Sequence, residues 1–176
     1  MQAKYKKEYL IIILIFMALF VVGLYSSLHD RPEYSKQAGP AIVLPPEDFT
    51  VQTGAGAITP GRSTFQEVTA LFPRGNTLGM STVYRPTGQP FFFEFSKKEN
   101  ILTVVQIEEK SLATARGIHV GDSLEKVIAA YGENYSSTSL AGAGLVDMSY
   151  GQADKIIFKI NDQVVTKIVV QHQVLK

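Results

Sequence analysis

Cysteine is absent from this chain of 176 residues. That excludes disulfides, thiolate metal sites, thiol catalysis and anchoring through a lipid-modified cysteine, so any exported part must be held together by packing. Histidine is scarce: His29, His119 and His172 lie far apart, and no two have the spacing of metal ligands. No Gly-x-Ser-x-Gly elbow is present, and Gly142-Ala-Gly144 lacks the Lys-Ser or Lys-Thr end of a phosphate loop. Adjacent carboxylates occur at Glu108-Glu109 and Glu47-Asp48, but neighbours on an extended strand point to opposite faces and do not converge. Ser63, Thr64 and Ser123 are nucleophile types that helix capping accounts for. The expectation is no catalytic residue, no metal site and no cofactor.

An excess of charge of one sign is also lacking. Removing three lysines and Glu8 from the totals of 17 and 16 leaves residues 29–176 with 14 Lys plus Arg against 15 Asp plus Glu. With no basic run interleaved with aromatics, nucleic acid is not an expected partner. One long stretch is wholly uncharged: Tyr9 to Leu28, 20 residues with a core of Leu-Ile-Ile-Ile-Leu-Ile-Phe-Met-Ala-Leu-Phe-Val-Val. As a helix it spans roughly 30 Å, the thickness of a bilayer's hydrocarbon core. Lys4, Lys6 and Lys7 precede it, so the positive-inside rule puts residues 1–8 in the cytoplasm and everything after Leu28 outside. A cleaved signal peptide competes with this, but no Ala-x-Ala site follows the apolar run, which favours an uncleaved signal anchor over 9–28. The expectation is a single-pass membrane protein with an extracytoplasmic C-terminal part.

Residues 29–58 carry Pro32, Gly39, Pro40, Pro45, Pro46, Gly54 and Gly56 with little periodicity, which predicts a linker lifting the folded part off the membrane. The apolar run Ala41-Ile-Val-Leu44 within it is an alternative edge strand.

Beyond the linker a motif occurs twice. Arg62-Ser-Thr-Phe-Gln-Glu-Val-Thr-Ala-Leu-Phe-Pro73 aligns without gaps on Gly121-Asp-Ser-Leu-Glu-Lys-Val-Ile-Ala-Ala-Tyr-Gly132. Phe65, Val68, Leu71 and Phe72, like Leu124, Val127, Ile128 and Tyr131, recur at helical spacing, with Pro73 or Gly132 as breaker. Ser63 with Gln66, and Asp122 with Glu125, are placed as cap and partner. Strands are predicted at Ser81 to Arg85, Phe91 to Ser96 and Ile101 to Glu108. They are predicted again, after a Gly- and Ser-rich loop, at Leu145 to Tyr150, Lys155 to Ile160 and Val164 to Gln171. The closing strands also align, Leu102-Thr-Val-Val-Gln-Ile107 on Val165-Thr-Lys-Ile-Val-Val170, so a whole helix-and-sheet unit is repeated, at 59–112 and at 113–176.

In the second copy, Gly121-Asp-Ser-Leu-Glu-Lys-Val127, Tyr131-Gly132, Met148-Ser-Tyr150, Phe158 and Val165-Thr-Lys-Ile168 carry a family likeness. The pattern resembles the β-lactamase-inhibitor-protein-like (BLIP-like) fold, shared with small outer-membrane-assembly lipoproteins of the SmpA/OmlA (BamE-like) type. The resemblance implies an α+β chain with two tandem BLIP-like units, each a short helix on an antiparallel sheet. It further implies a non-catalytic envelope-assembly or binding module that presents a sheet surface to a protein partner.

Alternation along Phe91-Phe-Phe-Glu-Phe95 puts Phe91, Phe93 and Phe95 on the core side, and Phe92 with Glu94 on the other. Tyr84, Phe92 and Glu94, with Tyr150, Ile157 and Lys159 in the second unit, form the candidate partner-binding surface. Ala115-Arg-Gly-Ile-His-Val-Gly-Asp122 and Gly75-Asn-Thr-Leu-Gly-Met80 are similar to segments of PDZ peptide-binding modules, but the helical period after Asp122 stands against that alternative. An envelope hydrolase is the alternative from a different class, and a lipid-binding sheet remains open.

Overall fold

Of the computed structural model, residues 15–21, 34–37, 42–78, 82–110, 112–140 and 144–173 are described. The chain divides into two units, 1–33 and 34–176. In the first, 15–21 are helical and expose Ile15, Phe16, Met17, Leu19, Phe20 and Val21. Among the described residues no helix is long and apolar enough to cross a membrane. The rest of the expected span over 9–28 lies outside them.

The second unit is α+β. Its strands are β1 Tyr34–Gln37, β2 Val51–Thr53, β3 Gly56–Ile58, β4 Gly75–Thr77, β5 Val83–Pro86, β6 Phe91–Phe95, β7 Leu102–Ile107, β8 Ser136–Leu140, β9 Leu145–Gly151, β10 Lys155–Asn161 and β11 Val164–Gln171. Its helices are α1 Phe65–Leu71 and α2 Leu124–Tyr131, with a 3-10 turn at Pro46–Phe49. Nine strands form one antiparallel sheet in the order β1-β8-β9-β10-β11-β7-β6-β5-β4, while β2 and β3 make a separate hairpin. Segments 59–112 and 113–176 thus share one sheet, joined where the closing strands β7 and β11 pair: Ile107 opposite Ile168, Val105 opposite Val170.

One face of the sheet is the core. Phe91, Phe93 and Phe95 of β6, Leu102, Val105 and Ile107 of β7, Ile156, Phe158 and Ile160 of β10, and Val165, Ile168 and Val170 of β11 are all buried there. Both helices are too short to persist alone and owe their existence to this face. Val68 and Val127 are fully buried, each contributing about 1.5–3 kcal/mol by removal from water. Phe72 stacks on Phe91 and Phe93, and Tyr131 on Tyr150 and Phe158.

The two halves make matching contacts. Gly61 N–H donates to the Leu102 carbonyl and Gly121 N–H to that of Val165, both at 2.7 Å. Phe65 N–H donates to Asn100 O at 2.8 Å and Leu124 N–H to Gln163 O at 2.9 Å, while Leu102 and Val165 N–H reach Ser63 and Asp122 O, both at 2.8 Å. Each closing strand carries a bulge at a threonine: Thr103 donates its hydroxyl to Glu94 O, and Thr166 donates to Lys159 O, both at 3.0 Å.

These bonds also correct the predicted caps. Because the Ser63 and Asp122 carbonyls are tied to the closing strands, the chain is still extended there and the helices start one residue later. The caps are Thr64, in a full capping box with Glu67, and Ser123, whose hydroxyl accepts from Lys126 N–H. Ser63 instead accepts from Thr59 N–H and Asp122 from His119 N–H.

Three further expectations change. The predicted linker is folded over much of its length: β1 pairs with β8, and Leu44, Phe49, Val51 and Ile58 are buried in the common core. Its proline-rich composition hid a hairpin whose alternation is only three residues long on each side. Ile42 to Leu44 forms no strand. The Gly- and Ser-rich loop contains β8, which is legible only from its pairing with β9. The loop-like Gly75-Asn-Thr77 is the edge strand β4, and a helix rather than a PDZ strand follows Asp122.

Candidate functional site

Among the described residues of 34–176, the face of the sheet opposite the helices carries no other element. Register runs a row of side chains straight across it: Phe92 of β6 opposite Gln106 of β7, Gln106 opposite Val169 of β11, Val169 opposite Ile157 of β10, and Ile157 opposite Ser149 of β9. Three of the first four are apolar. Val169 is only 8% exposed yet stands outside the core cluster, because its neighbours on this face cover it. Phe92 and Ile157 are half-buried. The Arg85 guanidinium lies 5.7 Å from the centre of the Phe92 ring, a cation–π contact at the end of the row.

Charged rows flank this stripe. On one side Glu108 accepts from Lys167 at 3.0 Å, and Lys159 pairs with Asp147 at 2.6 Å. Gln106 Nε2 also donates to Glu108 Oε1 at 2.5 Å. The Lys167 hydrogen bond is the main reason that the Glu108 carboxyl lies below its ordinary pKa. On the other side register aligns Glu94, Val104, Gln171 and Lys155. Glu94 is exposed and Lys155 half-buried, and neither side chain has an ion-pair partner among the described residues.

Of the predicted surface residues, the structure brings Phe92, Glu94, Ile157 and Lys159 onto this face. Tyr84 and Tyr150 are corrected: they are 5% and 1% exposed, on the core side. Their hydroxyls donate to the Phe72 and Gly132 carbonyls, the C-cap residues of α1 and α2, so each satisfies a helix end. Burial pushes both phenols above the ordinary tyrosine pKa. Gly75 permits the first contact, since a Cβ there would sit 2.4 Å from the Tyr84 hydroxyl oxygen. Sequence reasoning missed Arg85, Gln106 and Val169. A valine at an outward position of β11 was the one readable signal; the other two depend on cross-strand register.

A cleft of about 440 Å³ between β3 and α1 is lined by Ile58, Arg62, Ser63, Glu67 and Leu71, where Ser63 and Glu67 serve the backbone as described. His172 Nδ1 lies 2.6 Å from Asp154 Oδ1, and His119 lies 3.7 Å from Asp122. Among the described residues no group of three or more His, Asp or Glu side chains is placed to hold a metal ion. His29 falls outside the described residues.

No family model matches the chain. No curated protein matches it either. Among solved structures, the chain is similar to a DUF4309 family protein, YjgB, from Bacillus subtilis subsp. subtilis str. 168. The match has 18% identity and a TM-score of 0.46, and covers 69% of this chain and 84% of that one.

Proposed function

We propose that residues 34–176 are a non-catalytic, extracytoplasmic binding or envelope-assembly module, tethered by a membrane anchor over 9–28, that takes a protein partner on the open sheet face. The observation carrying this is the Phe92–Gln106–Val169–Ile157 row: apolar side chains on the open face, flanked on one side by paired charges and on the other by Glu94 and Lys155. Such a patch, apolar at its centre and polar at its rim, has the anatomy of a protein interface. The matching caps, closing-strand bonds and threonine bulges support two tandem BLIP-like units, with the open face built from both.

The test is a photo-crosslinking residue placed at Phe92 of the full chain in its native membrane, with the exposed helix position Gln66 as control. One defined protein adduct is expected from position 92, none from 66, and Ile157→Glu should abolish it. Equal labelling from both positions, or no adduct from 92, overturns the reading. Turnover of a cell-wall polymer by the purified chain would instead favour an envelope hydrolase.

A further inference from the structure

The rows of the open face have a further property that bears on what covers it. Taken about the midline between β7 and β11, three pairs of opposite or like character stand at equal distances, while the central pairs Val104–Gln171 and Gln106–Val169 each set an amide beside a valine. Glu94 on β6 and Lys155 on β10 lie in one register row, each one strand beyond the central pair. Phe92 and Ile157 occupy the same two strands in the next row. Glu108 and Lys167 face each other across the midline in the third.

A two-fold rotation about an axis lying between two stacked sheets and parallel to the strands carries one side of the midline onto the other while keeping each row in place. It sets Glu94 of one copy against Lys155 of the other and Phe92 against Ile157, twice by symmetry. Neither Glu94 nor Lys155 has an ion-pair partner among the described residues. Three strands apart, at about 4.8 Å per strand, they sit roughly 14 Å from each other in one molecule, too far to pair. Sheets packed face to face sit about 10 Å apart with strands nearly aligned, the geometry this rotation produces.

The geometry points to a second copy of this chain as the occupant of the open face, in an isologous face-to-face dimer. This inference rests on the reading that the face takes a protein partner, and names that partner. An isologous contact requires one patch to be complementary to itself, and these rows meet that requirement by charge.

The absence of native cysteine makes the test direct. In full-length protein in membranes, the pair Glu94→Cys with Lys155→Cys should form a disulfide-linked dimer on mild oxidation. Either single cysteine should not, because positions 94 and 94 of the two copies are offset by three strands as well as by the sheet spacing and stand roughly 17 Å apart, beyond disulfide reach. In analytical ultracentrifugation of the detergent-solubilised chain, Glu94→Lys should raise the dimer dissociation constant about tenfold or more, and adding Lys155→Glu should restore it. Dimers from a single cysteine, or none from the pair, overturn the dimer. A heterologous adduct from the photo-crosslinker at 92, with no dimer from the cysteine pair, would overturn this inference while leaving the binding reading standing. Loss of both signals would remove both.

Discussion

Arg116 is the most informative residue to remove. Its guanidinium grips Asp48 through two bonds, Nε to Oδ1 at 3.0 Å and Nη2 to Oδ2 at 2.7 Å, donates to Ala130 O at 3.0 Å, and lies 4.7 Å from the Tyr131 ring centre. It ties the turn at 46–49 to the C-terminal end of α2. Asp48 is 4% exposed, whereas the Arg116 side chain is 33% exposed, so the two partners are not equivalent. Arg116→Met strands a buried carboxylate, which costs about 3–5 kcal/mol in a closed site and about 3 kcal/mol here, since water reaches the arginine position. Asp48→Asn leaves a cation that keeps Ala130 O and solvent, at about 1–2 kcal/mol. In the double variant no charge is stranded, so its cost should fall about 1–2 kcal/mol short of the sum. With eight tyrosines and no tryptophan, urea unfolding of the detergent-held full chain is best followed by near-ultraviolet circular dichroism of tyrosine. Arg116→Met costing under about 1 kcal/mol, or additivity within about 0.3 kcal/mol, would refute the argument.

Tyr84→Phe leaves the buried Phe72 carbonyl unpaired and should cost about 1–3 kcal/mol in the same urea assay, whereas Tyr150→Phe frees the carbonyl of the exposed Gly132, which water can take up, and should cost about 1 kcal/mol; equal costs would show that the two carbonyls are equally buried. Thr64→Ala should cost about 1 kcal/mol and Gln66→Ala almost nothing, and the reverse order would restore the cap to Ser63. Glu108 has its folded pKa depressed by Lys167, so its contribution is present above the unfolded value near 4.5 and is lost as pH falls through the folded value. Stability measured from pH 6 downward, a range of roughly three units, should therefore decline less steeply in Glu108→Gln than in the parent chain; parallel curves would show that the pair contributes nothing.

Much of this fold was written locally. The strands at 91–95, 102–107, 145–151, 155–161 and 164–171 were legible from alternation, and both helices from 3.6-residue spacing with a breaker at the end. The outward positions of Phe92, Glu94, Ile157 and Lys159 followed from the same alternation. The misplaced caps and tyrosines trace to contacts beyond the local sequence. The caps moved by one residue because Ser63 and Asp122 are held by strands some forty positions onward. Tyr84 and Tyr150 read as surface residues because a tyrosine suits both environments, and only the carbonyls of Phe72 and Gly132 required them inside. The segments at 46–58 and 136–140 looked like loops because each is too short or too polar to show a period alone.

Local chemistry was enough to specify both helices and most of the longer strands, since propensity, alternation and breakers act over a few residues. The joining of segments 59–112 and 113–176 into a single sheet through β7 and β11 arises from backbone pairing between residues more than sixty positions apart, and it is this pairing of Gln106 with Val169 that brings Phe92 and Ile157 into one row. No periodicity records such a pairing. A strand's alternation says which side chains share a face, and only its neighbours say what that face becomes.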